Sequence, residues 1–305
     1  MSVSKDNLII LAATPKAKTE NAGRLVSFAR HPKALIGLSI LAVVMLAGLL
    51  APIIRPGDPL SIVGQPGLWP GDAAAFPLGT DTLGRDVLAG VIHGARVSLT
   101  VGVVATLISL TFGSLIGAIA GYFGGRIDDF IVRFIEIFQT IPGFVLLVVL
   151  VAFVEPSVTT AIIGIGLVSW DTVARLTRAE FRSIRKRDFV LAAEASGLRH
   201  RDIILKEILP NALPPLVVTA SIMVASAILM EAALSFMGLG DPNVVTWGSM
   251  IGSGRESLRV LWFLTAIPGL AIVVTVLALN LIGDALNDVL NPKQRRRRAN
   301  IDIGQ

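Results

Sequence analysis

The chain has 305 residues, of which 53% are hydrophobic and only 16% charged, against roughly 25% charged in ordinary soluble domains. Too few polar side chains remain to cover a globule, so the composition makes a multi-span membrane protein, all-α in class, the first reading. There is no cysteine and the formal net charge is +5; this rules out disulfide and thiol chemistry, and basic loops that set membrane topology account for the charge better than a nucleic-acid partner does.

Residues 1–33 form a polar tail carrying Lys5, Lys16, Lys18, Arg24, Arg30 and Lys33. Its apolar run Asn7–Ala13 is too short for a span and no small-residue cleavage site follows, so the first span is expected to serve as the insertion signal. A helix crosses the hydrocarbon core with about 20 apolar residues. Six segments qualify: Leu35–Ile54, Val97–Gly121, Phe130–Val154, Ser157–Glu180, Asn211–Met230 and Val260–Gly283. The third carries Arg133 and Glu136 and the fourth Asp171 and Arg175; the short link Glu155-Pro156 makes these two a helical hairpin. The domain plan is a tail (1–33), a first span (34–54), an external loop with a short interfacial helix (55–96), a five-span core (97–284) and a basic tail (285–305).

Six spans put both termini on one side. With that side cytoplasmic, 20 of the 27 lysines and arginines fall in inner segments and five in outer ones, a strong positive-inside bias. The "RRRR" at 295–298 then meets anionic headgroups or fixes topology. In the external loop, "RPGDP" and "GQPGLWPGD" carry turn chemistry, and "GTDTLGRD" reads as a helix start capped by Thr80, Asp81 or Thr82.

Between the fourth and fifth spans lies a cytoplasmic loop, 178–210, far longer than the two to eight residues that usually join bundled helices. Arg178, Arg182, Arg185 and Lys186 continue the fourth span at helical spacing. Ala192, Ala193 and Ala195 are small enough for close approach of another surface, and Gly197 permits a backbone turn that other residues resist. Ile203, Ile204 and Ile208 give a second helix an apolar face, Asp202 and Lys206 form an i,i+4 pair, and Pro210 is expected to stop or bend the helix before the fifth span. Two readings fit: a solvated amphipathic hairpin on the inner leaflet, or a docking element for a cytoplasmic partner.

The spacing Ala192-Ala193, Gly197, Leu209-Pro210 resembles the Glu-Ala-Ala loop of bacterial ATP-binding-cassette (ABC) importer permeases. It departs from that pattern at Leu191, in place of glutamate, and at Glu207, in place of isoleucine. "PLGTDTLGRDVLAGVIHGARVSL" (77–99), "AGYFGG" (120–125), "AALSFMGLG" (232–240), "TWGSMI" (246–251) and "NLIGDALNDVLNPK" (280–293) narrow the resemblance to the second permease subunit of the dipeptide/oligopeptide/nickel importers.

The resemblance implies a type I importer permease in the bacterial inner membrane, multi-pass, forming half of a translocation path. Its implied partners are a homologous permease (a heterodimer), two ATP-binding subunits and an extracytoplasmic substrate-binding protein, in a lipid bilayer and without nucleic acid. Coupling to the ATPase would fall to Ala192, Ala193, Glu194, Ala195, Gly197, Leu198, Arg199, Asp202, Leu209 and Pro210. Glu194 does not inherit the family glutamate's role, standing three positions away. No G-x-x-x-x-G-K-[ST] loop occurs. ATP is therefore not held by that mechanism, and the resemblance implies that this chain binds no cofactor and breaks no bond, Mg-ATP being used by the partner subunits. Peptides are the expected cargo, with nickel chelates, glutathione or another small solute as the alternative.

Small residues in the second and fifth spans (Gly113, Ser114, Gly117, Ala118; Ser221, Ala225, Ser226) suggest a sliding pore surface. Glu136, Asp171 and Glu231 should face protein or water. A proton relay, as in a stand-alone ion-coupled carrier, is weighed against local pairing: Asp171 with Arg175, Glu136 near Arg133, Glu231 at an outer helix end. His31, His93 and His200 have no metal-ligand spacing.

Overall fold

The computed structural model describes residues 27–290. The expected tail features at Asn7–Ala13, most of the N-terminal lysines and arginines, and the "RRRR" run lie outside them. Helices dominate, and no strand occurs among the described residues, only an isolated bridge between Thr80 and Asp86. The helices are α1 (Pro32–Ile54), α2 (Val87–Phe123), α3 (Gly125–Gln139), α4 (Gly143–Ala152), α5 (Val158–Val168), α6 (Trp170–Arg185), α7 (Asp188–Ala195), α8 (His200–Phe236), α9 (Trp247–Gly254) and α10 (Phe263–Leu290).

Four of these, α1, α2, α8 and α10, are long and apolar enough to cross a bilayer; α3 and α4 add a fifth if the pair, bent by 74°, counts as one span. The expected count of six is not confirmed by these lengths, and the reasons are local. Phe130–Val154 breaks at Thr140–Pro142, because Pro142 disfavours helical geometry at Ile141 and supplies no amide hydrogen. Ser157–Glu180 breaks at Ser169 into an 11-residue apolar helix and a strongly amphipathic one. The start of α5 reaches the loop after α8, where the Val158 amide donates to Asp241 Oδ2 at 3.3 Å.

At the other end of the bundle, Lys33 Nζ meets Asp284 Oδ2 at 3.0 Å and His31 Nε2 meets Asp288 Oδ2 at 3.6 Å, so the start of α1 and the end of α10 share a side. Helix α1 runs antiparallel to α10, with Gly37 against Ala278, and to α2, with Gly48 against Ala95 and Arg96. The end of α2 therefore returns to the side where α1 begins.

Helix α2 starts at Val87, before the span expected from Val97, and takes in the short helix expected ahead of it. Its cap is Asp86, whose Oδ1 accepts from the Leu88 amide at 2.9 Å, not Thr80, Asp81 or Thr82. Asp81 is spent on the preceding turn, accepting from the amides of Leu83 and Arg85 (2.8 Å each), while Thr80 Oγ1 accepts from the Leu68 amide. Helix α8 is likewise uninterrupted. Pro210 neither stops nor separates it, because residues Ile203–Ile208 widen into a π-helical turn immediately before the proline ring.

The centre of the fold is the seam between α2 and α6. Gly113, Gly117 and Gly121 recur every four residues, and a Cβ at these positions would come within 2.6–2.8 Å of the Cβ atoms of Val173, Thr177 and Phe181. Small residues here let two backbones touch. Gly113 and Gly117 are thereby buried in this chain's own interior, and Ala225 in the core around Trp247, so they do not line a sliding pore. Beside this seam Asp128 of α3 accepts from Arg178 Nε and Nη2 in a bidentate pair (Nη2–Oδ2 2.7 Å), with Arg182 Nη1 at 3.7 Å.

Candidate functional site

Two places in this fold carry the functional question: the polar hairpin between α6 and α8, and a cavity at the helix breaks. The hairpin has a core of its own. Tyr122 at the end of α2, Phe181 and Ile184 of α6, Val190 and Ala193 of α7, and Ile203, Ile208 and Ala212 of α8 pack together with almost no exposure. Burying a large side chain contributes about 1.5–3 kcal/mol, so several of them together make this a cohesive body. It joins the ends of three helices.

Polar contacts brace the same point. The Tyr122 hydroxyl and His200 Nδ1 are 2.6 Å apart, the Arg185 guanidinium lies 4.7 Å over the Tyr122 ring, and Arg185 Nε is 3.6 Å from Glu194 Oε1. Tyr122 is the chain's single tyrosine. That rarity is the one trace in the sequence of a role its position in "AGYFGG" does not explain. His200 and Arg185 gave no such trace.

The turn of the hairpin is a Schellman motif. The Leu198 amide donates to Ala193 O (3.2 Å) and the Gly197 amide to Glu194 O (3.0 Å), with Gly197 at φ +76°. This left-handed geometry favours glycine. Asp202 and Lys206 pair at 2.7 Å as the spacing predicts.

The three alanines do not share a face. Ala193 points into the hairpin core, whereas Ala192 and Ala195 are exposed with Leu191 and Leu198. Arg199 and Pro210 are exposed and Leu209 is packed partly against the core. The outward surface thus sets small and apolar residues beside exposed cations such as Arg187, Arg199 and Arg201 on a packed support.

The cavity, of about 400 Å³, lies where α3 gives way to α4 and α5 to α6, against the middle of α8. Asp171 and Gln139 reach it from the two breaks, and Ser226 and Thr219 from α8. Asp171 is nine-tenths buried and accepts from Gln139 Nε2 through Oδ2. Expected pairing with Arg175 is not found: among the described residues Asp171 makes no ion pair, and its side-chain partner is Gln139 of α3. Trp170 anchors the break, its ring 5.5–5.9 Å from those of Phe112, Phe134 and Phe138.

The other acids behave differently. Glu136 and Arg133 are both exposed and unpaired with one another among the described residues. Glu231 is buried before the end of α8, where Ser235 Oγ donates to its Oε1 at 2.7 Å.

Comparison with known proteins adds to this geometry. Residues 113–296 match the family model described as binding-protein-dependent transport system inner membrane component. The chain is 39% identical over 273 residues to the di/tripeptide transport system permease protein DppC of Pseudomonas aeruginosa, covering 88% of this chain and 90% of that protein. It is 38% identical to the dipeptide transport system permease protein DppC of Haemophilus influenzae (88% and 93% covered). Against the probable D,D-dipeptide transport system permease protein DdpC of Escherichia coli it is 36% identical (92% and 95%). Among solved structures, an inward-facing form of the MetNI methionine ABC transporter superposes with a TM-score of 0.55 at 19% identity, covering 66% of this chain and 96% of that one; this likeness supports the fold.

Proposed function

The chain belongs to the family of binding-protein-dependent transport system inner membrane components, and from that premise we propose that it forms half of the translocation path for di- or oligopeptides in an ATP-driven importer. As a permease it is a multi-pass inner-membrane protein and not itself an enzyme; ATP-binding subunits and a substrate-binding protein are its working partners. The finer assembly in this proposal has a homologous permease as the second half, two ATP-binding subunits using Mg-ATP, and no nucleotide on this chain.

The hairpin is the proposed contact with an ATPase, through Ala192, Ala195, Gly197, Leu198 and their neighbours. The observation that carries this is the shared core that ties the hairpin to the ends of α2, α6 and α8. A displacement imposed on a body packed in this way passes to all three helices together, whereas a solvated loop would absorb it. Both termini are placed in the cytoplasm in this reading. Support comes from the positive-inside bias and from the Lys33–Asp284 pair, which sets α1 and α10 at the hairpin's side of the bundle.

The experiment is depletion of the partner ATPase in cells that depend on this importer for a dipeptide. Uptake should cease while a proton gradient persists. Uptake that survives without the ATPase and collapses with the gradient would establish an ion-coupled carrier instead.

A further inference from the structure

The cavity at the helix breaks holds a buried carboxylate that the coupling mechanism does not use, and we infer that it is a transit site for the peptide, with Asp171 receiving the α-ammonium group. This rests on the importer reading and names what the path recognises. Three features of the cavity point the same way. Its volume, about 400 Å³, falls within the roughly 300–1,000 Å³ of small-ligand sites. It is framed by interrupted helices, and non-helical backbone at membrane depth is tolerated where it lines a cavity. Its charge is a single carboxylate whose Oδ2 is held by Gln139, with no cation paired to it among the described residues.

The remaining wall fits a ligand with one constant end and a variable remainder. Met223 and Met230 of α8 line the cavity opposite Asp171. Unbranched thioether side chains reshape around different apolar groups. Ser226 and Thr219 add hydroxyls able to bond an amide. Peptides share an ammonium group and amide bonds and differ in side chains, which is the chemistry this wall accepts. A fixed acceptor for the common end, combined with adaptable contacts for the rest, lets many sequences pass without holding any tightly.

Asp171 also lies in the first turn of α6, where a carboxylate stabilises a helix N-terminus. The test must therefore separate a ligand contact from a purely structural one. The probe is a dipeptide of alanine and a diazirine-bearing leucine analogue, as the free amine and as its N-acetyl form. Each is photolysed at millimolar concentration with the complete purified permease–ATPase complex, without binding protein.

The free amine should label the segments around Gln139 and Met223–Met230 at least about fivefold more than the acetylated form, since charge-assisted hydrogen bonds are the stronger ones. Asp171→Asn, which keeps an acceptor for Gln139, should bring the two forms level while leaving labelling by the acetylated form unchanged. Equal labelling of both forms by the wild type, or a preference that survives in Asp171→Asn, overturns the site. The wild-type comparison stands even where the variant fails to assemble. Parallel uptake with the binding protein distinguishes the two readings. ATP-dependent uptake without the labelling preference refutes the ammonium site alone, and absence of any ATP-dependent dipeptide uptake refutes the importer itself.

Discussion

Replacing Gly197 in the series Asn, Ala, Val tests the hairpin turn as a matter of backbone geometry. The residue sits at φ +76°, and nothing lies within 4 Å of the position a Cβ would take. Added bulk therefore meets no neighbour, and the whole cost is the left-handed backbone. For an ordinary L-residue that cost is roughly 1–2 kcal/mol, and asparagine tolerates the region better. A β-branched residue there is a stronger outlier, toward the roughly 1–3 kcal/mol stored in strained backbone positions. A penalty of one or two kcal/mol changes a conformational ratio by a factor of about 5–30. Uptake of labelled dipeptide by cells should fall in the order glycine, asparagine, alanine, valine, while membrane insertion measured by protease protection stays constant. The reasoning fails if valine transports as well as glycine, or if asparagine is as damaging as valine.

Gly117→Leu should behave differently, lowering the yield and melting temperature of the detergent-purified complex. A Cβ there already lies 2.8 Å from that of Thr177, and overpacking typically costs about 1–3 kcal/mol. Asp128→Asn should destabilise the complex by leaving Arg178 without its carboxylate, at or below the roughly 3 kcal/mol expected for a broken buried pair. Arg178 is a quarter exposed, and Asp128→Asn combined with Arg178→Met should recover part of the loss in thermal unfolding. Leu191→Asp with Leu198→Asp should leave the melting temperature unchanged, since both side chains are about half exposed. Co-purification of the ATPase subunits should nevertheless drop.

Much of the fold was readable from the chain because its spans are written in apolar length, and α1, α2, α8 and α10 fall where hydropathy places them. Breaks were less legible. Pro142 signals one, but whether a proline ends a helix depends on neighbours: at Pro210 a π-turn absorbs the ring and the helix continues. The hairpin's turn could be read at Gly197 because a glycine between two short helical patterns marks a left-handed turn, which the backbone there adopts. Its support could not, since Tyr122, Arg185 and His200 come together over long separations that no local pattern encodes. Asp171 illustrates the same limit. Helical spacing offers Arg175 as a partner, whereas the tertiary fold brings Gln139 from α3.

The natural absence of cysteine permits the measurement that tests the central claim most directly. Single cysteines at Ala195, on the exposed face of the hairpin, and at Ser61, in the loop between α1 and α2, are treated with a short bismaleimide in membranes containing the whole importer. The account predicts a crosslink from position 195 to an ATP-binding subunit and none from position 61. A crosslink from 61 to that subunit, with none from 195, would contradict it.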